Sequence, residues 1–178
     1  MTREMILEDF FHLAEFMNEI GMPAFVEGAE EGFPTLVVVL SEVEDVQETV
    51  VCNYMPLPEE DVEFGKMLHL YLRIPADLSM MEDVHLLVLA NQLNLLTPVG
   101  HFVTRAIGEK GGAYLAMRHV LSFPADKLPD EGIFGEAILL MSQYMQVAEE
   151  ILAEILDGEP IENILMQLPA GDTDGWEE

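Results

Sequence analysis

Basic residues are scarce: seven Lys or Arg stand against 34 Asp or Glu in 178 residues, a net charge of −27. A field of that sign repels phosphate backbones and anionic headgroups, which argues against nucleic-acid or membrane-surface binding as a main role. Cysteine is nearly missing. Cys52 stands alone, so no internal disulfide can form and nothing points to an oxidising compartment. Long apolar runs are also lacking: none is longer than Leu36–Leu40 or Leu86–Ala90, far below the ~20 residues that span a bilayer. The opening residues Met-Thr-Arg-Glu-Met-Ile-Leu-Glu-Asp-Phe interleave acids with apolar side chains, unlike the basic start and unbroken apolar stretch of a secretory signal. These absences predict a soluble chain of the cytoplasm.

The inventory of catalytic patterns is equally thin. His12, His69, His85, His101 and His119 include no pair at helical i, i+4 spacing, and the lone cysteine cannot complete a metal set. No Gly-x-Ser-x-Gly is present, and Ser41, Ser79, Ser122 and Ser142 fall where caps, turns and surfaces need them. Cys52 alternates with Val50 and Tyr54 in a strand pattern, which suits a small buried residue better than a reactive thiolate. Gly108-Glu109-Lys110-Gly111-Gly112 lacks the Gly-Lys-Ser/Thr ending of a phosphate loop and leads into a strand. Glu59-Glu60-Asp61 with Glu63 lacks the alternating spacing of a calcium loop and reads as a solvated acidic stretch. No catalytic, cofactor-binding or metal-binding residue is expected.

What is present is enough for one folded domain. Half the residues are hydrophobic, and the length suits a single core. Ile6, Phe10, Leu13, Met17 and Ile20 recur at 4-3-4-3 spacing, predicting a helix over about Glu4–Ile20, stopped by Gly21 and Pro23. Strands are expected at Ala24–Glu27, Thr35–Leu40, Glu48–Met55 and Lys66–Ile74. The last alternates most cleanly, with Leu68, Leu70, Leu72 and Ile74 on one side and His69, Tyr71 and Arg73 on the other. A capping box at Ser79-Met80-Met81-Glu82 predicts a second helix from Ser79 to about Leu96. A hairpin follows, Val99–Ile107 and Ala113–Leu121, then a long helix over about Gly132–Leu156 and a short one at Ile161–Leu168. The expected fold class is α+β: an antiparallel sheet with helices on one side, order α-β-β-β-α-β-β-α, the weak Ala24–Glu27 segment adding a possible fourth early strand. Residues 1–168 form the single domain, and 169–178 an acidic tail expected to be disordered.

Charge is unevenly distributed along this order. Residues 1–65 carry one base and 16 acids, residues 128–178 no base and 13 acids, and residues 66–127 six bases and five acids. The near-neutral middle holds most candidate contact residues. If the leucine side of Lys66–Ile74 faces the helices, His69, Tyr71 and Arg73 face outward, and the same alternation adds His101 and Arg105, then Tyr114 and Arg118. Arg and Tyr are enriched at binding hot spots, whereas a merely solvated face with its bases paired to nearby acids would look the same. The last long helix carries two adjacent seams. One runs Phe134, Ile138, Met141, Met145, Ala148, Leu152, Ile155; the other runs Ile133, Ala137, Leu140, Tyr144, Val147, Ile151. A helix on a sheet needs one stripe. Either the helix is sunk between neighbours, or Met141, Tyr144, Met145, Ile151 and Leu152 include a dimer or client surface.

One stretch has a family likeness. Leu89-Ala90-Asn91-Gln92-Leu93-Asn94, Pro98-Val99-Gly100-His101-Phe102 and Gly111-Gly112-Ala113-Tyr114-Leu115 resemble the helix-to-hairpin region of the YbjN-like family, whose fold is similar to the type III secretion chaperones. The similarity of element order covers residues 4–156, and the motif-like part about thirty of them; the extreme acidity and the residues after Leu156 depart from it. The resemblance implies regulatory or chaperone-like protein binding, a homodimer, no cofactor and no catalytic residue to carry over. The expectation is therefore a non-enzymatic module that binds a protein client, with neither nucleic acid nor membrane as partner. A small-ligand sensor with a pocket between sheet and helices, or a hydrolase without a recognisable motif, is the alternative.

Overall fold

A computed structural model describes residues 1–43, 46–57, 65–76, 78, 81–106, 113–160 and 163–164, without the side chains of 42, 43, 46, 105, 106 and 113. Helix α1 spans Arg3–Glu19, and Thr2 caps it by accepting the Met5 amide at 3.3 Å. Phe10, Leu13 and Met17 are fully buried as their spacing requires, whereas Ile20 lies half exposed past the helix end. Four strands follow: β1 Ala24–Glu27, β2 Thr35–Val43, β3 Val46–Tyr54 and β4 Lys66–Arg73. Helix α2 spans Asp83–Leu96, β5 His101–Ala106, β6 Ala113–Phe123, and α3 Glu131–Leu156. The architecture is α+β, with β1 adding the fourth early strand.

The six strands form one antiparallel sheet in the order β1-β2-β3-β4-β6-β5. Directly paired residues share a face, so the register sorts the whole sheet into two sides. Leu36, Val38, Val50, Cys52, Leu68, Leu70, Leu72, Phe102, Leu115, Met117 and Leu121 all join one cluster with the inner faces of α1, α2 and α3. All three helices therefore cover the same side. Each fully buried leucine there contributes about 1.5–3 kcal/mol.

Two asparagines fasten the sheet's edges to the helices. Asn18, near the end of α1, donates from Nδ2 to the Ala24 carbonyl (2.8 Å), and its Oδ1 accepts the Ala24 amide (3.1 Å). Asn94, near the end of α2, does the same with Phe102, donating at 3.0 Å and accepting at 2.5 Å. β1 and β5 are the edge strands, so each fork satisfies backbone groups that have no strand partner on that side. Gly100, with φ +71°, makes the turn into β5 against the Arg118 carbonyl, where a Cβ would collide. At Gly135 the missing side chain admits α1: a Cβ there would lie 3.1 Å from the Phe16 ring.

The observed boundaries depart from expectation in places. α2 begins at Asp83 rather than Ser79; its N-cap is Glu82, without a side-chain capping bond, and Ser79 and Met80 lie outside the described residues. β2 runs to Val43 and β3 starts at Val46, because this pair continues past the apolar core of both strands, with an irregularity between Val39 and Ser41. Of the short helix expected at Ile161–Leu168, only Asn163 and Ile164 are described, both helical, with Ile164 in the core. The Gly108–Gly112 loop, the Glu59–Glu63 stretch and the 169–178 tail lie outside the described residues. Among the described residues, no helix is long and apolar enough to cross a membrane.

Candidate functional site

The side of the sheet that no described helix covers carries the residues singled out by alternation. Tyr71 pairs with Arg118, His101 with Arg118 from the other flank, and Arg105 with Tyr114, so β4, β6 and β5 bring His69, Tyr71, Arg73, His101, Arg105, Tyr114 and Arg118 to one surface. The Arg105 side chain is outside the description. Arg118 Nε donates to His69 Nε2 at 2.8 Å, which requires that His69 nitrogen to be unprotonated. Tyr71 and Tyr114 meet edge to face at 6.4 Å, and the Arg73 guanidinium lies over the Tyr114 ring at 5.2 Å. Beside this cluster the same face carries buried Val37 and half-buried Val39 on β2, half-buried Val51 on β3 and half-exposed Phe25 on β1, interspersed with Thr35, Thr49 and Asn53. A concavity of about 380 Å³ opens among Gln47, Thr49, Val51, Tyr71, Arg73 and Pro75.

Electrostatics follow from that packing. Partial burial lowers the pKa of His69, and the Arg118 and His101 charges lower it further, so it stays neutral as an acceptor. Burial raises the Tyr71 phenol, with Tyr114 beside it adding to the effect. On the opposite side Cys52 is fully buried, and burial pushes its thiol far above the ordinary range. It packs as an apolar residue and offers no thiolate at neutral pH. Among the described residues no group of three or more His, Cys, Asp or Glu is placed to hold a metal ion.

The α3 residues fare differently. Met141, Met145, Ile151 and Leu152 are buried in the chain's own core, the first of the two alternatives that the doubled seam left open. α3 packs against both β6 and α1, so it needs more than one apolar stripe. Tyr144 is half buried against the core, and Ile133 and Val147 keep about half their area exposed.

Sequence reasoning passed over two features. The first is an outward stripe on α2: Val84, Leu87, Val88 and Leu95 recur at helical spacing, with Leu87 55% and Leu95 65% exposed. The signal was there, since the apolar residues of Asp83–Leu96 spread over more than one face of the helix. The second is a buried ion pair. Lys66 Nζ lies 2.7 and 2.5 Å from the two Asp9 oxygens, and Tyr54 donates to Asp9 at 2.6 Å. Lys66 is 3% and Asp9 2% exposed. Burial and the adjacent carboxylate push the Tyr54 phenol far up, so it remains a donor. Beside this group an apolar cavity of about 540 Å³ is lined by Ile6, Phe33, Tyr54, Met55, Leu57 and Lys66.

The chain matches no protein-family model, no curated protein and no solved structure. Nothing in these comparisons identifies the YbjN-like family that the helix-to-hairpin residues led us to expect. Among those residues Asn94 has an evident structural role, because it pins β5 to α2.

Proposed function

We propose that the chain is a non-enzymatic protein-binding module, regulatory or chaperone-like, working in the cytoplasm as a homodimer. The observation that carries this reading is the face of the six-stranded sheet that no described helix covers, where Tyr71, Tyr114, Arg73 and Arg118 converge beside valines. Leaving an apolar and aromatic sheet face without a covering layer is costly in water unless a partner takes the place of that layer. The family resemblance points the same way, toward regulatory or chaperone-like binding.

Charge restricts where two copies can meet. With −27 on each chain, contact is least unfavourable across surface from residues 66–127, where the charges nearly cancel. The outward stripe of α2 belongs to that segment and, from Val84 through Leu95, carries no acid. It is the dimer contact in this reading, and the sheet face is left for the client.

Light scattering behind size exclusion tests the assembly: the wild type should weigh twice the 19.9 kDa of one chain, and Leu87→Glu with Leu95→Glu should halve it without loss of helix signal. Affinity capture then compares the wild type with Arg73→Gln/Arg118→Gln. A client bound by the first and lost by the second supports the sheet face. Identical captured sets, or a wild type that is monomeric at every concentration and captures nothing reproducible, sinks the module reading. A second reading, small-ligand sensing, draws on the cavity beside Tyr54 and Lys66, whose apolar walls and adjoining polar cluster have the make-up of a ligand pocket.

A further inference from the structure

The open face gathers cations within a strongly acidic chain. Arg73 and Arg118 stand there beside the π-faces of Tyr71 and Tyr114, and the concavity lined by Thr49, Val51, Tyr71 and Arg73 adjoins them. Such a surface suits a segment with several carboxylates and one flat aromatic anchor: the ring enters the concavity, the guanidinium stacks on it, and the acids pair with arginine.

Two segments of the chain have that chemistry: residues 59–64, with four acids and Phe64, and residues 165–178; the first joins the end of β3 to the start of β4, away from the concavity at the start of β3 and the end of β4. Residues 165–178 hold Asp172, Asp174, Glu177 and Glu178, no base, and Trp176, the only tryptophan. Its starting point is well placed. Ile164, immediately before it, is buried in the core at the far end of α3. Glu149, in the second half of α3, feels the charge of Glu48, the neighbour of Thr49 on β3. The second half of α3 is therefore near the start of β3, the strand that supplies Thr49 and Val51 to the concavity. Twelve extended residues from Ile164 to Trp176 reach about 40 Å. A helix layer and a sheet together are on the order of 20 Å thick.

We propose that segment 165–178 docks on the open sheet face of its own chain, with Trp176 in the concavity beside Tyr71 and Arg73 and its carboxylates against Arg73 and Arg118. The inference rests on the reading of that face as the binding surface. It names the class of client as well: an acidic peptide with an aromatic anchor, which must displace the chain's own segment to bind.

Because the chain has one tryptophan, the intrinsic fluorescence of the full-length protein reports this segment alone. Wild-type Trp176 should emit to the blue of free tryptophan and resist acrylamide quenching, independently of protein concentration. In Arg73→Gln/Arg118→Gln the emission should move to the free value and quenching should rise several-fold, with circular dichroism unchanged. Asp172→Asn/Asp174→Asn/Glu177→Gln/Glu178→Gln, which leaves the sheet untouched, should release the indole in the same way. Free-tryptophan emission in the wild type, or a protected indole indifferent to both variants, overturns the proposal; so does protection that appears only as concentration rises, which assigns the segment to a neighbouring copy. The capture experiment separates the two claims: a client lost from the arginine variant, with Trp176 exposed throughout, keeps the face as the binding surface and removes the internal occupant.

Discussion

The two faces of this sheet are made by the same strands and differ in nearly every physical respect. On the covered face Leu68, Leu70 and Leu72 of β4 are fully buried against three helices, and the charged groups buried there, Asp9 and Lys66, neutralise each other. On the open face the intervening His69, Tyr71 and Arg73 hold one another by an arginine–histidine bond, an edge-to-face ring pair and a cation over a ring. Helix burial holds the first face together, and the second is stitched by contacts worth little individually in water. A strand alternating every residue lets one sequence build both, and the contrast separates what keeps the chain folded from what is available to a partner.

The contrast is tested most severely at the buried ion pair. Asp9→Ala leaves the Lys66 ammonium in the core without its carboxylate and should cost about 3–5 kcal/mol. Asp9→Leu combined with Lys66→Met replaces both charges by apolar groups of similar volume, and most of the lost stability should return, because a pair well matched in charge gains little over a well-packed apolar pair. Urea denaturation of the single and double variants decides the matter. A double variant as unstable as Asp9→Ala would mean that the pair does more than cancel its own desolvation, as a ligand site beside the Tyr54 cavity would require.

A smaller effect comes from adjacent positions on one strand. Leu70→Ala opens a cavity on the covered face and should cost about 2–5 kcal/mol. Tyr71→Ala, one residue along, removes an aromatic pair from the open face and should cost about 0.5–1.5 kcal/mol beyond its modest burial. Thermal or denaturant unfolding gives both numbers. Equal losses would mean that the open face is part of the chain's own core, and the docking proposals would fall with it.

Much of this contrast was legible beforehand, for a definite reason. The period of two in Met67-Leu68-His69-Leu70-Tyr71-Leu72-Arg73 sorts β4 without knowledge of any neighbour, and the same period sorts β5 and β6. That phase even places Lys66 with the leucines, and Asp9 beside Phe10 on the apolar side of α1. What it could not tell is that the two meet across 57 residues, which depends on α1 crossing the start of β4. The α3 seams left a choice that sequence could not close: whether a second stripe faces water or another helix depends on α1, through the close approach at Gly135 and Phe16. The start of α2 was misplaced because Ser79-Met80-Met81-Glu82 has the letters of a capping box, while the helical turns begin at Asp83.

The smallest expected effect is a pH dependence confined to the open face. His69 is half buried, with Asn53 opposite on β3, Tyr71 on its own strand, Arg118 donating from β6 and His101 contributing charge from β5. No acid is among these neighbours, and burial followed by the Arg118 charge holds its pKa below the ordinary 6.5. The unfolded chain therefore takes up this proton more readily than the folded one, and stability should fall as pH drops from about 6.5 through the folded value, then level off. His69→Gln keeps an oxygen that can accept the Arg118 N–H and does not titrate. At pH 7.5 it should match the wild type closely, and as the pH is lowered to 5 it should become the more stable of the two. Carboxylates, including Glu149 with its raised pKa, change both proteins alike and cancel in the difference. Protonated His69 would also set a second cation against Arg118, so acid should loosen the open face before it touches the leucines of the covered one. Parallel stability curves for the two proteins across that range would show that the Arg118–His69 bond does not hold the imidazole neutral.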